Sequence, residues 1–234
     1  MAVRQRAGVE APAPGLVFDH VQIAVADLVA AAARFHADYG LRSIAGGRHP
    51  GRGTANRIIP LGDCYLELIT IADEDEAERH PASRRVVRAV ADGTLFPVWI
   101  ATVDDLAAER ERLLRLRLPL PALTEGSRTK PDGSRLEWRM QELVADGEPS
   151  PLPFLIEWQV PAEQYPGWLP PADPQRRVRF RSLLLSDPDP ARARSLLGEV
   201  LKGQAGWWSV EEGEAGVREV RLAGPRGPIR LSSV

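Results

Sequence analysis

Two hydrophobic patterns follow each other near the start of this chain. Hydrophobic and polar residues alternate with period two over Phe18–Val25 and then take a helical spacing over Leu28–Tyr39. Period two is typical of a strand with one buried face, and the second spacing is typical of an amphipathic helix. Asp27 is a suitable N-cap and Gly40 a suitable end for that helix. The aliphatic face of the strand is expected to lie under the helix, which leaves His20 on the opposite, concave face.

Three further strands complete this first unit. The alternation predicts them over Leu41–Ala45, Thr54–Leu61 and Cys64–Ile71, with a glycine-rich loop at Gly46–Gly53 between the first two. The unit therefore reads β-α-β-β-β. In its last strand Glu67 lies between two leucines, so that it is expected to face the same concave side as His20.

The β-α-β-β-β pattern then returns a second time. A strand restarts after Leu95, the helix Leu106–Leu118 follows, and further strands are predicted over Ser134–Val144 and Leu152–Gln159, with Ser127–Gly133 as a polar loop between helix and strands. Alignment of the two copies puts Val98 at the position of His20 and Glu157 at the position of Glu67.

A third, more diverged copy is predicted at the C-terminus. Its first strand starts at Phe180, its helix covers Ala191–Leu201, and three short strands follow. Alignment puts Ser182 at the position of His20 and Arg230 at that of Glu67. Internal repeats are the strongest organisational signal in the chain.

The fold class predicted from these patterns is α+β, with two paired β-α-β-β-β modules and a diverged third. The predicted segments are a flexible leader (1–15), a first module (16–80), a connector helix (81–93), a second module (94–160), a Pro-rich linker (161–176) and a third module (177–234).

Composition narrows the class of protein. With 234 residues and 44% hydrophobic content, the chain has ample material for a globular core. A net charge of −2 argues against a nucleic-acid partner, which needs a basic surface. No apolar run approaches the roughly 18 residues of a membrane span. A single cysteine, Cys64, excludes an internal disulfide and favours a reducing cytoplasm.

Several phrases of the sequence resemble a known superfamily. Repeated β-α-β-β-β units with His20 on a first strand and Glu67 on a fourth strand resemble the vicinal oxygen chelate superfamily, which includes glyoxalase I, extradiol dioxygenases and bleomycin-resistance proteins. The resemblance is closest to the bacterial glyoxalase-like domain family, over about Val17 to Trp168. The phrases that carry it are Phe18-Asp-His20, Gly46–Asn56, Pro60-Leu-Gly62, Tyr65–Ile69, Arg128–Gly133, Leu136-Glu-Trp138 and Pro153–Trp158.

The resemblance implies a cup between two modules that holds a divalent metal. Its ligands come from the first and fourth strands of each module; His20, Glu67 and Glu157 match these positions, whereas Val98 does not. A histidine with two carboxylates suits iron, manganese, nickel or zinc. Either carboxylate, Glu67 or Glu157, is then a candidate catalytic base next to a carbonyl group. The alternatives are a core histidine at position 20 and a structural ion pair of Glu67 with Arg57 or Arg230.

Four further residues are candidate ligand contacts. His49 and Asn56 belong to the glycine-rich phrase, where the backbone can approach a ligand closely; a wide hairpin is the alternative. Arg128 is suited to clamp a carboxylate, or alternatively faces solvent in a turn. Gln22 shares the concave face with His20.

Two functions follow from these residues. One is a metal-dependent lyase, isomerase or dioxygenase acting on a small oxygen-bearing molecule in the cup. The other is a non-catalytic small-molecule binder of the antibiotic-resistance kind. In both, the partner is a small molecule rather than nucleic acid or membrane. The odd third module leaves a sheet edge or cup uncovered, which predicts a homodimer.

Overall fold

The structure, a computed structural model, describes residues 16–130, 133–144 and 148–233. The predicted leader over residues 1–15 lies outside the described residues. The strands are β1 (Val17–Ala24), β2 (Ile44–His49), β3 (Thr54–Pro60), β4 (Tyr65–Ile71), β5 (Trp99–Thr102), β6 (Thr124–Thr129), β7 (Arg135–Gln141), β8 (Phe154–Trp158), β9 (Arg179–Asp187), β10 (Trp208–Glu212), β11 (Gly216–Gly224) and β12 (Gly227–Ser232). The α-helices are α1 (Leu28–Tyr39), α2 (Glu74–Arg79), α3 (Pro81–Asp92), α4 (Leu106–Arg115) and α5 (Pro190–Val200).

Helix α1 begins and ends where its sequence predicts. The Asp27 side chain accepts hydrogen bonds from the backbone N–H groups of Val29 and Ala30, which satisfies two of the free donors at the helix start. Gly40 ends the helix with a left-handed φ of 69°, a conformation that glycine adopts without steric cost. These two caps fix where the chain enters the helix after β1 and where it leaves the helix towards β2.

The first two modules share one large curled sheet. Its eight strands lie in the order β2-β3-β4-β1-β5-β8-β7-β6. In each half the first strand pairs in parallel with the fourth, β1 with β4 and β5 with β8, and an antiparallel β1–β5 pair joins the halves. The two ends of the sheet curl back towards each other, so that Gly47 of β2 lies against the carbonyl oxygen of Thr129 at the end of β6. The predicted α+β class with two paired modules is confirmed.

The main core lies on the outer, convex face of this sheet. Val21 and Ile23 of β1 are fully buried there, as the alternation in the sequence predicts, and helices α1 and α4 pack over them and their neighbours. The C-terminal unit covers the rest of this face. Phe18 stacks on Phe180 with ring centroids 3.8 Å apart, and the ring of Trp207 packs at an angle against that of Trp99. The concave face is thereby left free to form a cup.

The C-terminal unit has the predicted element order but a different strand order. Its four strands form a separate sheet, β10-β9-β11-β12, in which the first strand pairs with the second and third strands. Arg230 lies on the edge strand β12, opposite Arg221 of β11. The equivalence of Arg230 with Glu67 was therefore wrong, because in the first module the fourth strand pairs with the first. Neither Ser182 nor Arg230 lines the cup.

The segment predicted as a polar loop over Ser127–Gly133 is partly a strand. Strand β6 runs over Thr124–Thr129 and pairs antiparallel with β7, where Arg128 lies opposite Leu136. The polar composition of this segment hid the strand, since pairing with a neighbour can override weak local preference. Pro131 and Asp132, which belong to the predicted loop, lie outside the described residues.

Two connecting segments close the sides of the cup. The predicted connector helix, α3, lies along its opening and contributes Ala82 and Val86 to the lining. The Pro-rich segment contributes Pro166, and its Tyr165 is buried against Tyr65 and Trp158. Among the described residues, no helix is both long and apolar enough to cross a membrane.

Candidate functional site

The concave face of the eight-stranded sheet encloses a cavity of about 60 Å³, room for roughly four to six water molecules. Its two walls differ in chemistry, because the first module contributes most of the polar side chains and the second most of the apolar ones. The polar lining comprises His20, Gln22, His49, Arg52, Thr54, Asn56, Tyr65, Glu67, Ser83 and Arg128, and the strands of the second module add Ile100, Trp138, Met140, Phe154, Ile156 and Trp158. A ligand of a few heavy atoms with one polar and one apolar side suits such a cup.

A β-bulge in β1 brings two consecutive residues to the site. The pairing of β1 with β5 passes from Phe18 directly to His20, so that Asp19 is the extra residue. The fully buried carboxylate of Asp19 lies 2.8 Å from Nδ1 of His20 through Oδ1 and accepts a hydrogen bond from Nε1 of Trp158 through Oδ2, 3.0 Å away. Asp19 therefore fixes the orientation of the imidazole and leaves Nε2 directed towards the cavity.

Nε2 of His20 faces two groups across the cup. It lies 3.4 Å from Oε2 of Glu67 and 3.4 Å from the hydroxyl oxygen of Tyr65. Burial lowers the pKa of His20, but hydrogen bonds and charge from Asp19 and Glu67 outweigh it, so the net pKa is raised above its usual value. Burial and the two nearby carboxylates raise the pKa of Tyr65 well above its usual value, so its phenol stays protonated. His20 is thus a buried imidazole held between two carboxylates, which favour its protonated form.

Both carboxylate oxygens of Glu67 accept hydrogen bonds from the polar wall. Nε2 of Gln22 donates to its Oε2 at 3.0 Å, and Nδ2 of Asn56 donates to its Oε1 at 2.5 Å. Burial raises the pKa of Glu67, but the bond and charge of His20, together with Asn56, reverse that effect and lower the pKa to about 2. The carboxylate is therefore ionised, with both oxygens already engaged.

His49 is a neutral histidine held by two hydrogen bonds. Its Nδ1 lies 2.8 Å from the hydroxyl of Thr54, and its Nε2 lies 3.3 Å from Nδ2 of Asn56. Burial lowers the pKa of His49 to about 4, and the positive charges of Arg52 and Arg128 oppose protonation further. Because the amide nitrogen of Asn56 only donates, Nε2 of His49 is the acceptor and Nδ1 carries the proton.

Arg128 completes the polar wall from the other module. Its Nη1 donates to Oδ1 of Asn56 at 3.3 Å, which orients that amide so that its nitrogen faces Glu67. A side chain at Gly46 would overlap both Oδ1 of Asn56 and the guanidinium of Arg128, so this glycine provides the space in which the two meet. Arg52 lines the same part of the cup from the loop after β2.

The structure brings six of the seven predicted site residues together in the cup and excludes one. Gln22, His49, Asn56 and Arg128 lie around His20 and Glu67; their roles as ligand contacts stay predictions. Glu157 lies on the convex face instead, where Arg139 binds both of its oxygens at 2.7 Å and the N–H of Leu106 donates to Oε2 at 2.8 Å. The placement of Glu157 as a metal ligand and base in the cup was wrong.

A one-residue shift in register explains this error. Phe154 pairs with Ile100 in the parallel β5–β8 pair, just as Tyr65 pairs with His20 in β1–β4. On that register the residue equivalent to Glu67 is Ile156, which lines the cup. A shift of one residue along a strand moves every side chain to the opposite face.

The described donor set does not fit the predicted metal site. No group of three or more histidine, cysteine, aspartate or glutamate side chains among the described residues is arranged to hold a metal ion. Two of the predicted ligands, His20 and Glu67, are close together, but both oxygens of Glu67 already accept amide hydrogen bonds. The second module offers isoleucines where further ligands are expected, at Ile100 and Ile156.

Two site residues were missed by sequence reasoning. Asp19 was not among the candidates, and its local signal is the polar pair Asp19-His20, which interrupts the alternation. Trp138 was not a candidate either, yet its ring lines the cup and packs edge-on near His49 at 6.0 Å. The absence of a side chain at Gly126 makes room for the Trp138 indole, a relation that appears only once β6 and β7 are paired.

Comparison with known proteins agrees with this architecture. The model of the glyoxalase-like domain family matches residues 18–201. A hypothetical protein from Staphylococcus aureus, 14% identical, has a similar fold with a TM-score of 0.76 over 91% of this chain and 92% of that chain. Methylmalonyl-CoA epimerase from Mycobacterium tuberculosis is 20% identical, with a TM-score of 0.44 over 64% of this chain and 92% of that chain. No curated protein matches the sequence.

The family match covers both modules that build the cup, together with the first strand and the helix of the C-terminal unit. The curled sheet made from two β-α-β-β-β halves agrees with it. The chain therefore belongs to the glyoxalase-like domain family.

Proposed function

We propose that the protein is an enzyme that transfers protons on a small carbonyl compound bound in the cup, as an isomerase or lyase does. The observation that carries this proposal is the Asp19–His20–Glu67 series, in which one buried imidazole lies between two carboxylates at the cavity wall. Groups with strongly perturbed pKa values in a concave site are the usual components of acid–base catalysis.

His20 is suited to act as the general acid. Its raised pKa favours the protonated form, and Asp19 holds the ring so that Nε2 faces the cavity and can present a proton there. Donation from Nε2 to a carbonyl oxygen stabilises the negative charge that develops there when a proton leaves the neighbouring carbon. The phenol of Tyr65, 3.4 Å from Nε2, is a second donor for the same oxygen.

Glu67 is the proposed base. In the free protein the pKa of Glu67 is low, because the hydrogen bond and the positive charge of His20 favour the ionised carboxylate. When the N–H of His20 turns to a substrate oxygen, Glu67 loses that bond and its affinity for a proton rises. Glu67 then takes the proton from carbon while His20 gives one to oxygen, which produces an enol; the reverse transfer to another position produces the isomer.

Exchange of carbon-bound hydrogen with solvent tests this proposal. Butanone and 2-oxobutyrate are incubated with the protein in D₂O, and the loss of the proton signal next to the carbonyl is followed by NMR. We expect exchange above the protein-free rate with at least one compound, and its loss in both His20→Asn and Glu67→Gln. The matched control is Glu157→Gln, on the convex face, which should retain exchange. Exchange that persists in His20→Asn would refute the assignment of the acid.

The proposed reaction needs no metal, whereas the family resemblance implies iron, manganese, nickel or zinc. The donor set of the cup supports the metal-free reaction, since only His20 and Glu67 of the predicted ligands lie there. Exchange should therefore survive EDTA treatment, and elemental analysis should find no stoichiometric metal. Exchange abolished by EDTA and restored by one of these metals would favour the metal-dependent lyase, isomerase or dioxygenase.

The second candidate function is a non-catalytic small-molecule binder. The saturated hydrogen bonding of Glu67 favours it, because a carboxylate engaged by Gln22 and Asn56 is a poor base. The apolar second wall suits sequestration equally well. Tight binding of a small ligand without exchange of any carbon-bound hydrogen would support this candidate over the enzyme.

The cellular location and the oligomeric state of the protein are two further predictions. The cytoplasmic location is a prediction from the single cysteine, Cys64, which is buried. The homodimer is a prediction from the odd number of modules. Light scattering at several concentrations measures the mass directly, and a monomer throughout would exclude the dimer.

A further inference from the structure

We propose that the ligand of the cup carries a carboxylate group that binds to the guanidinium of Arg128. This inference rests on the proposed function, since it assumes that the cup is the working site, and it adds the class of substrate. Arg128 lies on β6 of the second module. Among the described residues of that module's strands, it is the one charged group that lines the cup.

Arg128 has unused hydrogen-bonding capacity. Its side chain is only 5% exposed and lines the cavity. A guanidinium has five N–H donors, yet within the described part of the chain its one hydrogen bond joins Nη1 to Oδ1 of Asn56 at 3.3 Å. No carboxylate among the described residues lies within 4.0 Å of it. A buried cation without a paired anion is costly, and a ligand carboxylate would remove that cost.

The other charges of the cup do not compensate Arg128. Glu67 is the nearest acidic group of the polar wall, and its oxygens are engaged by Asn56 and Gln22. His49 is neutral and adds no negative charge. Arg52, on the loop that follows β2, adds a second positive charge to the same cavity. Glu142 and Glu67 act on Arg52 and offset part of its charge, so Arg128 is the cation that an anionic ligand would pair with in this part of the cup.

The surroundings of Arg128 define the rest of the ligand. Trp138 and Met140 of the neighbouring strand β7, together with Phe154 of β8, form an apolar wall on this side. The volume of about 60 Å³ limits the ligand to a few heavy atoms. We infer a short, branched or linear carboxylate whose carbon chain lies against Trp138 and whose reacting end points to His20.

A matched pair of small molecules tests the inference without relying on catalysis. Isobutyrate and isobutyramide have the same shape, but only isobutyrate carries a charge. Their dissociation constants are measured by isothermal titration calorimetry at low salt. We expect isobutyrate to bind at least about tenfold more tightly than isobutyramide, since a charge-assisted bidentate bond is among the stronger polar contacts.

Two arginine variants locate the interaction. Arg128→Gln should weaken isobutyrate binding at least about tenfold and leave isobutyramide unchanged, because only the carboxylate uses the guanidinium. Arg139→Gln removes an arginine of the same sheet that binds Glu157 on the convex face, and it should leave both affinities unchanged. Thermal unfolding and circular dichroism establish that both variants are folded. If Arg128→Gln does not fold, Arg128→Lys serves instead, with an intermediate loss of isobutyrate affinity expected.

The outcomes separate this inference from the proposed function. Equal affinity for acid and amide, no binding of either, or unchanged isobutyrate binding in Arg128→Gln would each overturn the carboxylate assignment, whether or not hydrogen exchange occurs. Selective isobutyrate binding without hydrogen exchange would support Arg128 as the carboxylate site while refuting the proton-transfer enzyme.

Discussion

The neutral state of His49 predicts a specific pH dependence of stability. In the unfolded chain a histidine has a pKa of about 6.5, whereas burial lowers the pKa of His49 to about 4 in the fold. The unfolded chain therefore binds a proton first as the pH falls, so the contribution of His49 to stability is present above pH 6.5 and is lost as the pH falls towards 4. Between pH 7 and 4.5 the loss amounts to about 2 kcal/mol.

His49→Gln isolates this contribution. A glutamine can still donate to Thr54 and accept from Asn56 but has no proton to gain. We expect this variant to have a lower free energy of unfolding than the wild type at pH 7. At pH 4.5 the wild type should have lost about 2 kcal/mol more of its stability than the variant. Urea unfolding followed by tryptophan fluorescence measures both free energies, with slopes that should agree between the two proteins.

The control and the refuting result follow from the same experiment. His36→Gln removes an exposed histidine of α1 and reports what the loss of any histidine does to the profile. The two free energies of unfolding could instead differ by the same amount at pH 7 and at pH 4.5. That result would show that the pKa of His49 is not lowered in the fold. The hydrogen-bond assignment around Asn56, which depends on a neutral His49, would then fail with it.

Three other substitutions test separate parts of the structure. Asp19→Asn removes the carboxylate beside Nδ1 and should lower the pKa of His20 by about one unit or more, measured by NMR titration of the imidazole; an unchanged pKa would contradict the role given to the bulge. Glu157→Gln should cost about 1 kcal/mol of stability in urea unfolding, since its ion pair is partly exposed, and leave isobutyrate binding unchanged; lost binding would return this residue to the site. Gly46→Ala should reduce stability by about 1–3 kcal/mol and weaken isobutyrate binding, because its methyl group overlaps two site residues. The matched Gly198→Ala, on helix α5 with open space around it, should be neutral or slightly stabilising; equal losses in both would contradict the crowding argument.

The polar half of the site could be predicted from the sequence because it depends on local alternation. His20 and Gln22 share one face of β1, and Glu67 faces the same side of β4, as their apolar neighbours require. His49 and Asn56 could be named as candidates from the glycine-rich phrase that contains them. The contacts between these side chains could not be predicted, because they depend on how β2, β3 and β4 pair.

The errors share one physical cause, which is that strand register is decided between strands. The face on which Glu157 lies depends on which residue of β8 pairs with Ile100. The sequence of β8 has hydrophobic residues on both of its faces, so it does not decide which face lines the cup. Asp19 joins His20 because the β1–β5 pairing skips one residue. In the same way, the strand order of the C-terminal sheet follows from partners that are distant in sequence.

By itself the sequence determined most of the element types, the capping of α1, the repeated pattern of strands and helix and the family, because these depend on short-range periodicity and on recognisable phrases. Only the tertiary structure decided that the cup has a polar and an apolar wall, that Asp19 orients His20, and that Arg128 faces the cavity. Those relations are contacts between side chains on different strands. Their geometry is fixed by sheet pairing and curvature, which the local pattern of a single strand does not specify.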